Sequence, residues 1–265
     1  MIKLIVTDMD GTFLNKEGKI DEDFYQLIEE LNRRGIVFAV ASGRLYSTLD
    51  KGFHKVKNKM IFMCNNGAAI QFNHNGELLY QCTLDKNEVL DIVEDLDEEG
   101  VEIIISDKDK VYIEEPSKEL RELLVCGDAP SVELKSFKDL PNDIHKLSYA
   151  QHIGIQKDFA NKIHGKYNEG YHVAVSGRIW MDIMNIEVSK GNAVTMIQKK
   201  LGIKEEETLI FGDYYNDISM FSKGYYSYAM KNAPEDVKKH ARFVTSYDNN
   251  EGGVIKTIKE LLNIK

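Results

Sequence analysis

Two stretches of this chain, one at each end, alternate short apolar runs with helical stripes, and that alternation closes best as parallel strands joined by crossover helices. In the first stretch Leu4-Ile5-Val6 reads as a buried strand, and Phe24, Leu27, Ile28 and Leu31 keep the spacing of one helix face that Gly35 ends. Ile36 to Ala41 and Met60 to Cys64 are the next two buried strands. The same grammar returns where Ala193, Ile197 and Leu201 mark a helix closed by Gly202, followed by the strand Leu209-Ile210-Phe211. Tyr226 to Ala229 and Arg242 to Thr245 add short strands, with helices over Glu235 to His240 and Val254 to Leu262. Together the two ends predict one α/β, doubly wound parallel sheet.

From about Thr83 to Val188 the period changes. Val89, Ile92, Val93 and Leu96 form a helix stripe, and Val101 to Ile105 and Val111 to Glu114 are strands flanking the turn Asp107-Lys108-Asp109. Ile144 to Ala150, Tyr171 to Ser176 and Arg178 to Asn185 read as further strands. The expectation is an antiparallel sheet with helices on one face: an α+β domain over residues 83–188, inserted into a core made of residues 1–82 and 189–265.

The chain has 265 residues, 43% hydrophobic and 29% charged, a balance that buries a real core and excludes disorder. A formal charge of -9 argues against a general nucleic-acid binder. Cys64, Cys82 and Cys126 lack the spacing of a disulfide framework or a zinc site and read as buried free thiols. No signal-like segment or membrane span is expected, which fits a reducing cytoplasm.

Polar clusters follow the core strands. Asp8-Met9-Asp10-Gly11-Thr12 follows the first, Ser42-Gly43-Arg44 the second, Asn65-Asn66-Gly67 the third, and Gly212-Asp213 with Asn216-Asp217 the strand ending at Phe211. Ser189-Lys190-Gly191 opens the helix leading into that last strand, where Ser189 can cap and Lys190 can hold an anion. Taken singly, these are turns, caps and a solvated lysine. If the strands are neighbours, all of them meet at the carboxyl edge of the sheet, where such folds bind ligands. Acids for a hard cation, and hydroxyl, lysine and backbone donors for an anion, together suit phosphate with magnesium.

Asp-Met-Asp-Gly-Thr, Ala-Ser-Gly-Arg, Ser-Lys-Gly-Asn-Ala and Gly-Asp-Tyr-Tyr-Asn-Asp-Ile-Ser-Met, in this order, resemble the four motifs of the haloacid dehalogenase superfamily, and the inserted block resembles the larger cap of its Cof-type (IIB) subfamily. The resemblance implies a Rossmann-like core with a C2-type cap and a phosphatase acting on a small phosphorylated metabolite, sugar phosphates first. It implies that Asp8 attacks phosphorus and Asp10 serves as general acid and base. Asp8, Asp213 and the Asp10 backbone carbonyl would hold Mg2+, with Asp217 supporting them. Ser42, the Gly43 and Met9 backbones, Lys190 and Asn216 would grip the phosphoryl group, with Arg44 and Asn66 behind them.

Tyr214 and Tyr215 depart from the motif and would crowd the metal edge or touch substrate. Arg178 and Trp180 lie on a predicted strand near the domain junction, where a substrate reader could sit, with half-buried packing the favoured role; the histidines, His54 and His145 among them, read as surface or packing residues. A phosphomutase needs the same acids and metal. A phospho-acceptor signalling module fails on layout, and intact Asp8, Asp10, Lys190 and Asp213 count against a regulator that lost catalysis. The expected partner is the metabolite alone, with no nucleic acid or membrane, the chain being a monomer or weak homodimer.

Overall fold

The computed structural model describes residues 1–264 apart from Asp97. Along the chain come β1 (Leu4–Thr7), α1 (Asp23–Arg33), β2 (Val37–Ala41), α2 (Tyr46–Gly52), β3 (Ile61–Cys64), β4 (Ala69–Phe72) and β5 (Leu78–Gln81). Next are α3 (Lys86–Glu94), β6 (Glu102–Ser106), β7 (Val111–Glu114), α4 (Lys118–Cys126), β8 (Ser131–Leu134), β9 (Lys146–Ala150), α5 (Lys157–Tyr167), β10 (Tyr171–Gly177) and β11 (Trp180–Asn185). The chain ends with α6 (Lys190–Leu201), β12 (Thr208–Gly212), α7 (Ile218–Phe221), β13 (Tyr226–Ala229), α8 (Glu235–Lys238), β14 (Phe243–Val244) and α9 (Gly253–Leu262).

The first sheet runs β14-β13-β12-β1-β2-β3-β4-β5 and is parallel as far as β3. Its central strands carry apolar side chains on both faces, which is why they read as continuous apolar runs. On one face Phe38 and Val40 pack with Phe24, Leu27 and Ile28 of α1 and Ile255 and Ile258 of α9. On the other, Ala39 and Ala41 pack with Ala193, Val194 and Ile197 of α6. The sheet is thus doubly wound, as expected. The antiparallel hairpin of β4 and β5 was not read from the sequence; β5 lies at the sheet's edge with partly exposed residues and has no buried face to give it a period.

The second sheet runs β10-β11-β9-β6-β7-β8. Two expectations about it are corrected. Its β7–β8 pair is parallel, because α4 crosses over between them. The helices also occupy both faces, since α3 and α5 pack with Ile105, Leu147 and Tyr149, whereas Leu120 and Leu124 of α4 pack with Ile104, Val111 and Ile113. Ile104 and Ile105 are consecutive on one strand, so they point to opposite sides. Arg178, expected in a strand, lies in the turn before β11. Of the three thiols only Cys64 is buried, and Cys126 is exposed at the end of α4.

His145, immediately before β9, is fully buried where the two sheets meet. Asn65 Nδ2 donates to the Asp107 carbonyl at 2.9 Å and lies 3.2 Å from His145 Nδ1. Burial pulls the imidazole pKa down to about 4, against the opposing pull of Asp107 and Asp143. Because the folded value lies below the unfolded 6.5, the neutral ring is favoured in the folded state. Its contribution is full above about pH 6.5 and is lost as pH falls through about 4, a difference of about 3 kcal/mol.

Two measurements check this account of the fold. Phe24→Ala, which removes a ring from the cluster of Phe13, Phe38 and Phe53, should cost about 3–5 kcal/mol in denaturant unfolding. The loss of stability between pH 7 and pH 5 should be smaller in His145→Gln than in the wild-type chain; an identical loss would contradict the buried neutral ring.

Candidate active site

Strands β12, β1, β2 and β3 are consecutive in the first sheet, so the polar clusters that follow them share one edge. Asp8 leaves β1 with its N–H donated to the Phe211 carbonyl at 3.0 Å, and its side chain is buried. Gly11 then turns the chain at φ +80, and a Cβ there would stand 2.3 Å from Asp213 Oδ2. Only glycine lets this turn pass the second acid. Met9 is buried in the core, which leaves its backbone for any role at the site.

Lys190 arrives from the far side of the chain. The Ser189 hydroxyl accepts the Asn192 N–H at 3.1 Å and caps α6 as expected. Gly191 is required because a Cβ would come within 2.3 Å of the Ser219 carbonyl oxygen on α7. That close approach carries Lys190 inside, to 1% exposure, so it is no solvated helix-start residue. Its Nζ donates to Asp8 Oδ1 at 2.5 Å and to Asp217 Oδ1 at 2.6 Å. Asp217 Oδ2 accepts the N–H groups of Asp213 and Tyr214 at 2.8 and 3.0 Å, and the Thr12 hydroxyl donates to Asp213 Oδ1 at 2.7 Å.

Charge is crowded here. Burial, and then the Asp217 carboxylate, hold Asp8 well above the usual carboxylate range although Lys190 pulls it down. Burial and Asp217 push Asp213 up to about 7. Burial opposes the charge of Lys190, but Asp217 and Asp8 outweigh it and hold its pKa above the ordinary lysine value. Asp8, Asp213 and Asp217 can each aim a carboxylate oxygen to within 4.8 Å of the others. Three buried acids against one lysine leave an excess of negative charge, and hard oxygen donors so arranged fit a magnesium-like cation. Asp217 is the acid whose two oxygens are both engaged, by Lys190 and by backbone N–H groups, so Asp8 and Asp213 are the freer ligands.

The loops after β2 and β3 are stitched together. Asn66 N–H donates to the Ser42 carbonyl at 2.8 Å and Asn65 N–H to the Arg44 carbonyl at 3.0 Å. Asn65, Asn66 and Gly67 all take positive φ, +47, +58 and +99, which asparagine and glycine tolerate best. A Cβ on Gly67 would lie 2.8 Å from the Ser189 carbonyl oxygen, so this loop also seats the start of α6. Ser42 is buried, with its hydroxyl accepting the Arg44 N–H at 3.1 Å. Asn216 Nδ2 donates to Asn66 Oδ1 at 3.2 Å.

Arg44 forks onto Asp10, Nε to Oδ2 at 2.9 Å and Nη2 to Oδ1 at 2.6 Å. The Asp10 side chain is 62% exposed and reaches into a cavity of about 700 Å³ between the two sheets. Asp8, Ser42 and Asp213 form its base, and Lys146, Trp180 and Asp182 belong to its opposite wall. Arg178 and Tyr214 line it too, and Trp180 is half-buried against the cluster of Ile104, Val111 and Leu120, the packing role expected of it. Tyr215 turns away, its hydroxyl donating to Asp236 at 3.0 Å. Lys146 and Asp182 were missed in the sequence; the available signal was a charged residue inside each of two predicted strands, flanked by His145 and Leu147 in one and by Met181 and Ile183 in the other.

The sequence profile described as haloacid dehalogenase-like hydrolase matches residues 5–258. The chain is 27% identical to the 5-amino-6-(5-phospho-D-ribitylamino)uracil phosphatase YbjI of Escherichia coli, over 98% of this chain and 96% of that one. It is equally 27% identical to the phosphatase YwpJ of Bacillus subtilis, over 98% and 100%. The crystal structure of SMU.1108c from Streptococcus mutans superposes with a TM-score of 0.90 at 30% identity, covering 99% of this chain and all of that one. A haloacid dehalogenase-like hydrolase from B. subtilis gives 0.87 at 26% identity, over 98% and 100%. With its motifs gathered at one sheet edge and its profile matched almost end to end, the chain is an enzyme that belongs to the haloacid dehalogenase-like hydrolases, of the Cof type.

Proposed function

We propose that this hydrolase is a magnesium-dependent phosphatase of small phosphorylated metabolites, sugar phosphates first among them, that works through an aspartyl-phosphate on Asp8. The observation that carries the reading is the buried Asp8–Lys190–Asp217 bridge beneath the cavity, with Asp213 beside it. A carboxylate held at the end of a buried strand, with a cation against one oxygen, has its other oxygen directed by that contact and is a positioned nucleophile. The E. coli relative's name, a phosphatase of a phosphorylated ribityl compound, is in keeping with a hydroxylated leaving group.

Asp8 and Asp213 would hold magnesium, with the Asp10 backbone carbonyl completing the protein's share and Asp217 orienting the Asp213 backbone. Bound there, the ion would neutralise charge on the phosphoryl oxygens and on the acids around it. Ser42, the Gly43 and Met9 backbones, Lys190 and Asn216 would fix the phosphoryl group for in-line attack by Asp8. The bond from phosphorus to the leaving oxygen breaks as the Asp8–phosphorus bond forms, and Asp10 gives that oxygen its proton. Asp10 then takes a proton from water, which attacks phosphorus and returns Asp8. Both Asp10 oxygens are held by Arg44 in the structure, so Asp10 must leave the guanidinium to reach a leaving oxygen, and Arg44 sets its resting position. Residues 83–188 would act as a cap that closes the cavity during transfer and opens to release product.

Asp8→Asn is expected to stay folded and lose activity towards phosphate esters by about 10³-fold or more, and near-normal turnover would sink the mechanism. Lys190→Met should lower kcat by about 10²–10³-fold and, by leaving Asp8 and Asp217 unpaired, cost about 3–5 kcal/mol of stability. Magnesium should raise the unfolding temperature of the chain stripped with chelator, and Asp213→Asn should abolish most of that rise; an equal rise in both would remove Asp213 from the metal's ligands.

A further inference from the structure

The reaction above uses the base of the cavity and leaves unexplained the charged pair in its opposite wall. Lys146 on β9 is 8% exposed and Asp182 on β11 is fully buried. Burying such a pair is expensive unless its remaining donors and acceptors are met. Asp182 is fully met: the Ser148 hydroxyl donates to Oδ1 at 2.6 Å, and Oδ2 accepts from Asn66 Nδ2 at 2.9 Å and from Lys146 Nζ at 3.3 Å. Lys146 is not. An ammonium has three N–H donors; one goes to Asp182 and one to the Gly43 carbonyl at 3.2 Å. Among the described residues no third acceptor is recorded for Nζ, and Lys146 lines the cavity.

Resting on the phosphatase reading, we propose that Lys146 is the residue with which the second sheet selects substrate. Its third N–H donates to a hydroxyl of the leaving group, and Asp182 and Ser148 position it. Lys146 and Asp182 cancel in charge, so the vacant donor calls for a neutral oxygen rather than a second anion. Ser148 and Ser176 line the same cavity, and hydroxyls there suit a polyol. Gly43 follows Ser42 in the loop that would grip the phosphoryl group, so the ammonium that touches Gly43 stands near the scissile ester. It therefore reads a hydroxyl close to the ester oxygen and not one at the far end of the substrate. Asn66 joins this pair to Asn216, so recognition in the wall and phosphoryl contacts at the base share one hydrogen-bonded path.

The test compares hexose and pentose phosphates with p-nitrophenyl phosphate, which has no hydroxyl, all with magnesium present. Lys146→Met should raise KM for the sugar phosphates about 10–100-fold, leaving kcat and all constants for p-nitrophenyl phosphate within about threefold. Lys146→Arg should recover part of the loss. Because the single substitution strands Asp182, the double variant Lys146→Met/Asp182→Asn carries the comparison if Lys146→Met does not fold. Equal losses on both kinds of ester would overturn the proposal and assign Lys146 to the Gly43 loop alone, and no loss on either would also overturn it. Wild-type turnover of p-nitrophenyl phosphate with none of the sugar phosphates would refute it while leaving the phosphatase reading intact. Turnover of no phosphate ester at all would end both.

Discussion

One buried ammonium holds the site together. Lys190 spans Asp8 at the end of β1 and Asp217 beyond β12, so residues 182 positions apart along the chain are joined by a contact that burial makes obligatory. Removing such charges from water costs several kcal/mol each, and only close pairing with further hydrogen bonds recovers it. The surroundings are arranged to supply these. Gly191 lets α6 approach α7, Gly67 lets the loop after β3 pass beside Ser189, and Gly11 lets the loop after β1 pass Asp213. Each glycine sits where a single Cβ would push apart two pieces of the lysine's enclosure.

The lysine does not balance the acids around it. Asp8 and Asp213 are held above their ordinary ionisation range because burial and Asp217 act on both, and the protein alone supplies no second buried cation there among the described residues. That imbalance is unfavourable for folding, and acids so strongly shifted at the base of a cavity mark a functional site. Stability sits elsewhere, in the two apolar faces of the first sheet and the aromatic cluster around Phe24. The second sheet then faces the acids across the cavity, tied to the first through Lys146 to Gly43 and Asp182 to Asn66.

Much of this was legible in the sequence, and the reasons differ from one element to the next. β1, β2, β3 and β12 are buried on both faces, so they appear as unbroken apolar runs, and the polar clusters after them are chemical punctuation at fixed places. The cap of α6 was legible in Ser189 because capping is local. The burial of Lys190 was not, because it depends on α7 and on a strand from the other end of the chain. α4 crosses between two strands that pair in parallel, and nothing local distinguishes the face on which it lands. Arg44 was expected behind the phosphoryl contacts, and in the structure its side chain pairs with Asp10 while its backbone carbonyl anchors Asn65. Lys146 and Asp182 were missed because period-2 reading treats a polar residue in a strand as solvent-facing, whereas theirs is the cavity-facing side.

The central claim is that the Asp8 oxygen, positioned by Lys190, becomes bonded to phosphorus during turnover. The most direct measurement quenches the enzyme during steady-state hydrolysis of a phosphate ester with borohydride, which reduces an acyl-phosphate to an alcohol, and maps the modified residue by mass spectrometry. The account predicts that position 8 alone is converted to homoserine, and only when substrate and magnesium are both present. Reduction at any other carboxylate, or none while turnover proceeds, would contradict it.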